Sequence, residues 1–168
     1  MPSIQQNLEA SNKDYVSSKF PGPLPLPPSE GYAVVTCMDA RIDPAAQFGI
    51  PLGGAHVVRN AGGSVKEAFR SLVISQQILN TKEVLVIKHT DCGMLQFQKS
   101  DAITAVKQNA GEEGVREVED IEFLTFPDLE EEVKKDVEWL KGKLVEKGIV
   151  VSGWVYDVQT GTVKRITA

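Results

Sequence analysis

EVLVIKHTDCGM, residues 83–94, runs from an unbroken apolar segment into a polar tail. The tail holds one of the chain's two histidines and one of its two cysteines. A continuous apolar, β-branched run such as EVLVIKHT (83–90) is expected to be a strand buried on both faces. AVVTC (33–37) and HVVRN (56–60) read the same way. Between these runs lies SVKEAFRSLVISQQILN (64–80), which reads as a helix. Ser64 is its N-cap, with Glu67 three residues on as in a capping box, and Val65, Phe69, Leu72, Val73, Ile74 and Leu79 form one broad apolar face.

The same reading extends downstream. DAITAVKQNA (101–110) is expected to be a short helix and the polar GEEGVREVED (111–120) a loop. PDLEEEVKKDVEWLKGKLVEKG (127–148) has Pro127-Asp128 at its start, acidic residues in the first turn and Gly148 as C-cap, so it is expected to be a helix. Val133, Val137, Leu140 and Leu144 give its apolar face. IVVSGWVYD (149–157) and VKRIT (163–167) are expected to pair as a hairpin across QTG. Strands separated by helices indicate an α/β fold, a mostly parallel sheet covered by helices.

Residues 1–30 stand apart. Residues 4–20 read as a helix with few apolar positions, which needs a surface to lie on. PGPLPLPPSE (21–30) reads as a stiff extended connector to a single α/β domain over 31–168.

Composition excludes several functions. A net charge of −5 argues against nucleic acid and against a membrane surface. The longest apolar runs are far too short to span a bilayer. MPSIQQNLEASNKDY has no apolar core of a secretory signal and lacks arginine, so a cytoplasmic protein is expected. In a reducing compartment Cys37 and Cys92 are not expected to form a structural disulfide; buried apolar residue, reactive thiol and metal ligand remain.

In a parallel sheet, ligands bind outside the carboxyl ends of the strands. The first strand ends at Cys37, the third at His89 and Cys92, so all three residues come to one edge. Thiolate and imidazole together suit zinc, and three protein ligands leave a fourth position for water or substrate. Cys37 opens C-M-D-A-R (37–41), and in extended chain Asp39 and Arg41 face the same side as Cys37. Asp39 there is placed to hydrogen-bond a metal-bound water or to take the fourth position, with Arg41 holding it ionised. Asp91 supports the ligands or is merely solvated. His56 shuttles protons or, the preferred reading, has a hydrogen-bonding task at a strand end. RNAGG (59–63) supplies backbone donors near the site, makes a tight strand-to-helix turn, or does both.

CMDAR (37–41), RNAGG (59–63) and HTDCG (89–93), in this order and spacing, resemble the β-class carbonic anhydrase family, in its compact microbial branch. The resemblance covers the core from about Ala33 to Met94. It implies a Rossmann-like α/β fold, zinc on Cys37, His89 and Cys92, and Asp39 and Arg41 as a catalytic dyad. It implies reversible hydration of carbon dioxide to bicarbonate and a proton by a zinc-bound hydroxide; the Gly93 N–H, just after Cys92, is placed to bind a bicarbonate oxygen. It also implies a homodimer or homotetramer with the site near the interface, where the N-terminal arm would wrap the partner. Zinc lowers the pKa of its water to about 7 in a carbonic anhydrase whose metal sits on three histidines. Two thiolates donate more charge, so a higher value and better activity at alkaline pH are expected.

Two features depart from the family pattern. Many members carry a glutamine ahead of the first strand, where this chain has PLPLPPSEGY; many read C-S-D-S-R where it has C-M-D-A-R. The changed wall leaves carbonyl sulfide and carbon disulfide as alternative substrates, and a non-catalytic zinc protein as a further alternative.

Overall fold

The computed structural model describes residues 3–143 and 148–168. Its centre is a five-stranded sheet in the order β2-β1-β3-β4-β5. The strands are β1 (Tyr32–Cys37), β2 (Ala55–Asn60), β3 (Glu83–His89), β4 (Val150–Tyr156) and β5 (Val163–Thr167). The first four are parallel, and β5 closes the sheet as an antiparallel hairpin with β4. The central strands β1 and β3 are buried almost throughout, whereas edge strand β2 alternates. That contrast follows from position: only a strand covered on both faces needs a continuous apolar run.

Successive side chains leave a strand on opposite faces. Ala33 and Val35 of β1 therefore join Val84 and Val86 of β3 in one core, and Val34 joins Ile87 in the other. The first core is closed by α3 (Val65–Gln77), through Val65, Ala68 and Leu72, and by α5 (Leu129–Lys143), through Val137 and Leu140. The second is closed by Ile42, Ile50, Met94 and Phe126, with Phe48 of the short α2 (Pro44–Phe48) packed against it. The expected face residue Leu144 lies outside the described residues, so the end of the helix read over 127–148 is not described.

Two local expectations need correction. Ser64 caps α3 by accepting from the Glu67 N–H, but the capping box is only half made. The Ser64 N–H donates instead to Asn60 Oδ1 at 2.7 Å. The loop expected at 111–120 is mostly helical: α4 spans Lys99–Val118. Gly111, with φ 67°, interrupts the helical dihedrals, and helix-favouring Glu and Arg residues carry the helix on beyond it. The Lys107–Glu112 ion pair bridges the break. Polarity there marks an exposed helix, since no residue of α4 is buried.

The N-terminal α1 (Ile4–Ser18) is a helix, started by a complete capping box between Ser3 and Gln6. It buries no residue, and Ile4, Leu8 and Val16 are exposed. The connector reaches the sheet where the Ser29 and Glu30 N–H groups donate to the carbonyls of Gly53 and Gly54.

Candidate metal centre

Cys37 is the last residue of β1 and His89 the last of β3, so the parallel sheet delivers both to its carboxyl edge. Thr90 continues the β3–β4 pairing by one bond, its N–H donating to Tyr156 O at 2.9 Å, and its hydroxyl accepts from the Val158 N–H. Asp91 then turns the chain with φ 54°, a left-handed value that aspartate tolerates. The turn brings Cys92 back under Cys37.

The donor atoms of Cys37, His89 and Cys92 lie within 4.8 Å of one another, with the two sulfurs 4.0 Å apart. All three residues are buried. A tetrahedral metal with metal–sulfur bonds of about 2.3 Å has sulfur–sulfur edges of roughly 3.8 Å, so the observed spacing is close to a preformed site. His89 Nδ1 donates to its neighbour's carbonyl, Thr90 O, at 2.8 Å, which leaves the Nε2 lone pair available as a ligand. That Nε2 is buried without a hydrogen-bond partner. Two thiols and an orphaned imidazole nitrogen fit a metal of zinc's softness.

The electrostatics agree. Cys37 is drawn down to about 4, first by the Cys92 thiol beside it and then, against burial, by His89 and by the N–H groups of Asp39 and Gly62. Cys92 is pushed up, because Cys37 takes the pair's first negative charge and burial disfavours a second. Burial disfavours charge on His89, but the Cys37 thiolate, the Thr90 carbonyl and Asp39 outweigh it, and the net direction is upward.

Asp39 and Arg41 meet beside the cluster by a route other than strand alternation. The strand ends at Cys37, and the chain turns over residues 40–41. Asp39 Oδ1 accepts from the Arg41 N–H at 2.9 Å and from Nε at 3.0 Å, while Oδ2 accepts from Nη2 at 2.7 Å. Arg41 Nη1 also reaches Asp91 Oδ2 at 2.7 Å, and Nη2 reaches Asp91 O at 2.9 Å. Asp91 is therefore tied to the dyad, not merely solvated. The Arg41 guanidinium, followed by its backbone N–H, holds the Asp39 carboxyl far below the usual carboxylate range. Asp39 Oδ2 lies 3.8 Å from His89 Nε2.

Arg59 and Asn60 hold this loop with their side chains, whereas the sequence reading of RNAGG gave the motif only a backbone role. Arg59 Nε donates to Cys37 O at 3.0 Å and Nη2 to Asp39 O at 2.7 Å. Asn60 brackets the next turn, giving its amide to Ser64 O and accepting from Ser64 N. Within that bracket Gly62 and Gly63 have φ of 69° and 60°. A Cβ on Gly63 would sit 3.1 Å from Thr36 C, so only glycine lets the turn rest on the end of β1. The RNAGG motif is thus both a tight turn and a backbone surface of the site.

A cavity of about 390 Å³ opens over the cluster. Met38, Ala61, Met94, Phe97 and Phe123 make its wall mostly apolar, and Gly93 lies on it. The segment after α4 accounts for part of this wall: Phe123 lines the cavity, and the Phe126 N–H donates to Met94 O at 3.3 Å. His56 is elsewhere. It pairs with Ala33 while Cys37 pairs with Asn60, which places it four residues, about 13 Å, along the sheet from the site. Its Nδ1 is 2.7 Å from Ser75 Oγ, and that hydroxyl is 2.7 Å from Thr81 Oγ1. The hydrogen-bonding reading of His56 holds within this chain, and the proton-shuttle reading does not.

A family model described as carbonic anhydrase matches residues 32–163. The chain is 42% identical over 167 residues to "Beta-carbonic anhydrase 1" of Mycobacterium tuberculosis, with 98% of this chain and 99% of the relative covered. It is 28% identical over 176 residues to "Carbon disulfide hydrolase" of Acidithiobacillus thiooxidans, covering 95% and 88% of the two. Among solved structures, the carbonic anhydrase from Glaciozyma antarctica superposes with a TM-score of 0.90 at 44% identity, covering 99% of this chain and all of that one.

Proposed function

Because the chain belongs to the β-carbonic anhydrase family, we propose that it is a zinc enzyme interconverting carbon dioxide and water with bicarbonate and a proton. The observation that carries this reading is the buried Cys37–His89–Cys92 cluster with its orphaned Nε2, set beside an aspartate clamped by arginine. Cys37, His89 and Cys92 would hold the metal, which supplies an activated water as nucleophile.

The remaining work falls to the chain's own groups. Asp39 accepts a hydrogen bond from the reacting water and orients it. Arg41 grips both carboxylate oxygens, so Asp39 stays ionised and turned toward the cluster. Asp91 holds the other edge of the guanidinium. The apolar wall suits an uncharged, linear substrate, and the Gly93 N–H offers a donor to an oxygen of the product. The product proton leaves to solvent through the cavity mouth.

A second reading, hydrolysis of carbon disulfide, draws on the apolar lining and on the more distant relative of that name. A non-catalytic zinc site would have no use for the Asp39–Arg41 clamp. The two enzymatic readings separate in one experiment: kcat/KM of the zinc-loaded protein for carbon dioxide and for carbon disulfide. Carbon dioxide should be preferred by orders of magnitude; a preference for carbon disulfide would reverse the assignment.

Residues 1–30 act in this reading as an arm and connector, and 31–168 as the zinc domain. The exposed apolar side of α1 finds its surface on a second copy, in a homodimer or homotetramer. No described helix is long and apolar enough to cross a membrane, and we place the protein in the cytoplasm.

A further inference from the structure

Lys88 stands inside β3, immediately before the terminal His89, and the buried positions that precede it, Val84, Val86 and Ile87, are all apolar. Its side chain is 2% exposed, and so is that of its partner Asp136 within a point: the two meet at 2.9 Å with 2% and 3% of their surfaces accessible. Asp136 lies on the buried face of α5, among Val133, Val137 and Leu140. An ion pair buried this deeply pays a desolvation penalty of several kcal/mol per ion, and an apolar pair of similar volume is often as stable or more so. Stability therefore does not account for it.

Hydrogen bonding does. Lys88 Nζ donates to Gly62 O at 2.9 Å and to Gly63 O at 3.2 Å. Asp136 Oδ2 makes a charge contact with the ammonium and has no aligned hydrogen bond of its own, so the ammonium's directed bonds go to the turn. The Phe126 ring covers a further side, its centroid 4.9 Å from Nζ. The same turn faces the metal cluster on its other side. The Gly62 N–H favours negative charge on Cys37, Gly63 rests on the Thr36–Cys37 peptide, and Ala61 and Gly62 line the cavity. A shift of this turn would change its packing on the Thr36–Cys37 peptide and displace a cavity wall together.

We propose that Lys88, neutralised by Asp136, is a positioning residue: it fixes the Ala61–Gly63 turn against Cys37 and so sets metal affinity and cavity shape from behind the site. The inference rests on the reading of Cys37, His89 and Cys92 as a metal centre.

The test replaces the pair by apolar residues in the full-length chain, as K88M/D136L, and by neutral polar ones, as K88Q/D136N. Zinc affinity is read by competition with a chromophoric chelator, Tm on the metal-free proteins, and kcat and KM by carbon dioxide hydration. K88M/D136L has lost the donor, and we expect zinc to bind about 10- to 100-fold more weakly, the range typical of groups that support metal ligands. K88Q/D136N keeps a shorter, uncharged donor and should lose less, roughly 3- to 10-fold. The loss should follow the donor and not Tm, with kcat/KM falling in the same order. Zinc affinity within about twofold of wild type in whichever variant folds would overturn the proposal, as would a loss that simply tracks Tm. A wild-type protein that binds zinc but hydrates no carbon dioxide would instead sink the enzymatic reading, and the affinity comparison would still decide the role of Lys88.

Discussion

Asp39 accepts three hydrogen bonds from Arg41, one from its backbone and two from its guanidinium. This clamp depresses the folded pKa of Asp39, so its contribution to stability is fully present above the unfolded value of about 3.9 and is lost as pH falls through the lower folded value. Across the neutral range Asp39 is therefore a constant carboxylate, and any titration seen in turnover there belongs to another group. Asp39→Asn keeps the shape and removes the charge. It should retain one zinc per chain by elemental analysis while kcat falls on the order of 10²-fold; unchanged turnover would dismiss the dyad. The juxtaposition of Cys37, His89 and Cys92 and of Asp39 with Arg41 could be read from the sequence because these residues sit at or just past the ends of apolar runs. Arg59 and Lys88 could not. Both act on backbone carbonyls that are distant in sequence, and a donor aimed at a carbonyl leaves no residue-type signature at the other end. The one hint for Lys88 was a charge inside a strand expected to be buried on both faces, matched by Asp136 on the apolar face of α5.

Among the elements, β1, β3, α5 and the terminal hairpin were legible from pattern and turn signals; α3 was legible as a helix, but Val73 and Ile74 of its expected apolar face are exposed while Ser75 and Gln76 are buried. The second half of α4 was not, since its two glycines and its polarity imitate a loop. The cap of α3 shows the limit of local reasoning: Ser64 was the right residue, yet its N–H is claimed by Asn60 across the RNAGG turn. That turn and the helix core should also separate by mutation. Leu140→Ala removes a fully buried side chain from the α5 contact with the sheet and should cost about 2–5 kcal/mol in denaturant unfolding, with zinc affinity unchanged. Gly63→Ala forces a methyl against the Thr36–Cys37 peptide at a left-handed φ. It should cost about 1–3 kcal/mol and weaken zinc binding as well. Equal effects of both variants on zinc would mean that the turn has no special tie to the cluster.

At the size of the whole molecule, α1 is the part that its own chain does not explain. A 15-residue helix with no buried residue is marginal in water, even with a complete capping box. Its exposed Ile4, Leu8 and Val16, and the Phe20, Leu24 and Leu26 that follow, leave apolar surface without cover. The assembly we propose would bury it. Sedimentation of the full chain at micromolar concentration should show a dimer or a larger even-numbered species, and deleting residues 1–26 should weaken association and lower Tm. A full-length monomer would remove the arm's assigned role. The sequence showed that the arm needs a surface; which surface is a property of the assembly and has no trace in the pattern of one chain.

Hydration of carbon dioxide at the Cys37–His89–Cys92 pocket is measured by stopped flow with the zinc-loaded protein between about pH 6.5 and about pH 9. Rates far above the buffer background are expected, rising toward alkaline pH, because Asp39 is already ionised and the titrating group would be the water activated by a metal held on Cys37, His89 and Cys92. A flat background rate across that range, with zinc confirmed bound, would contradict the proposed hydration.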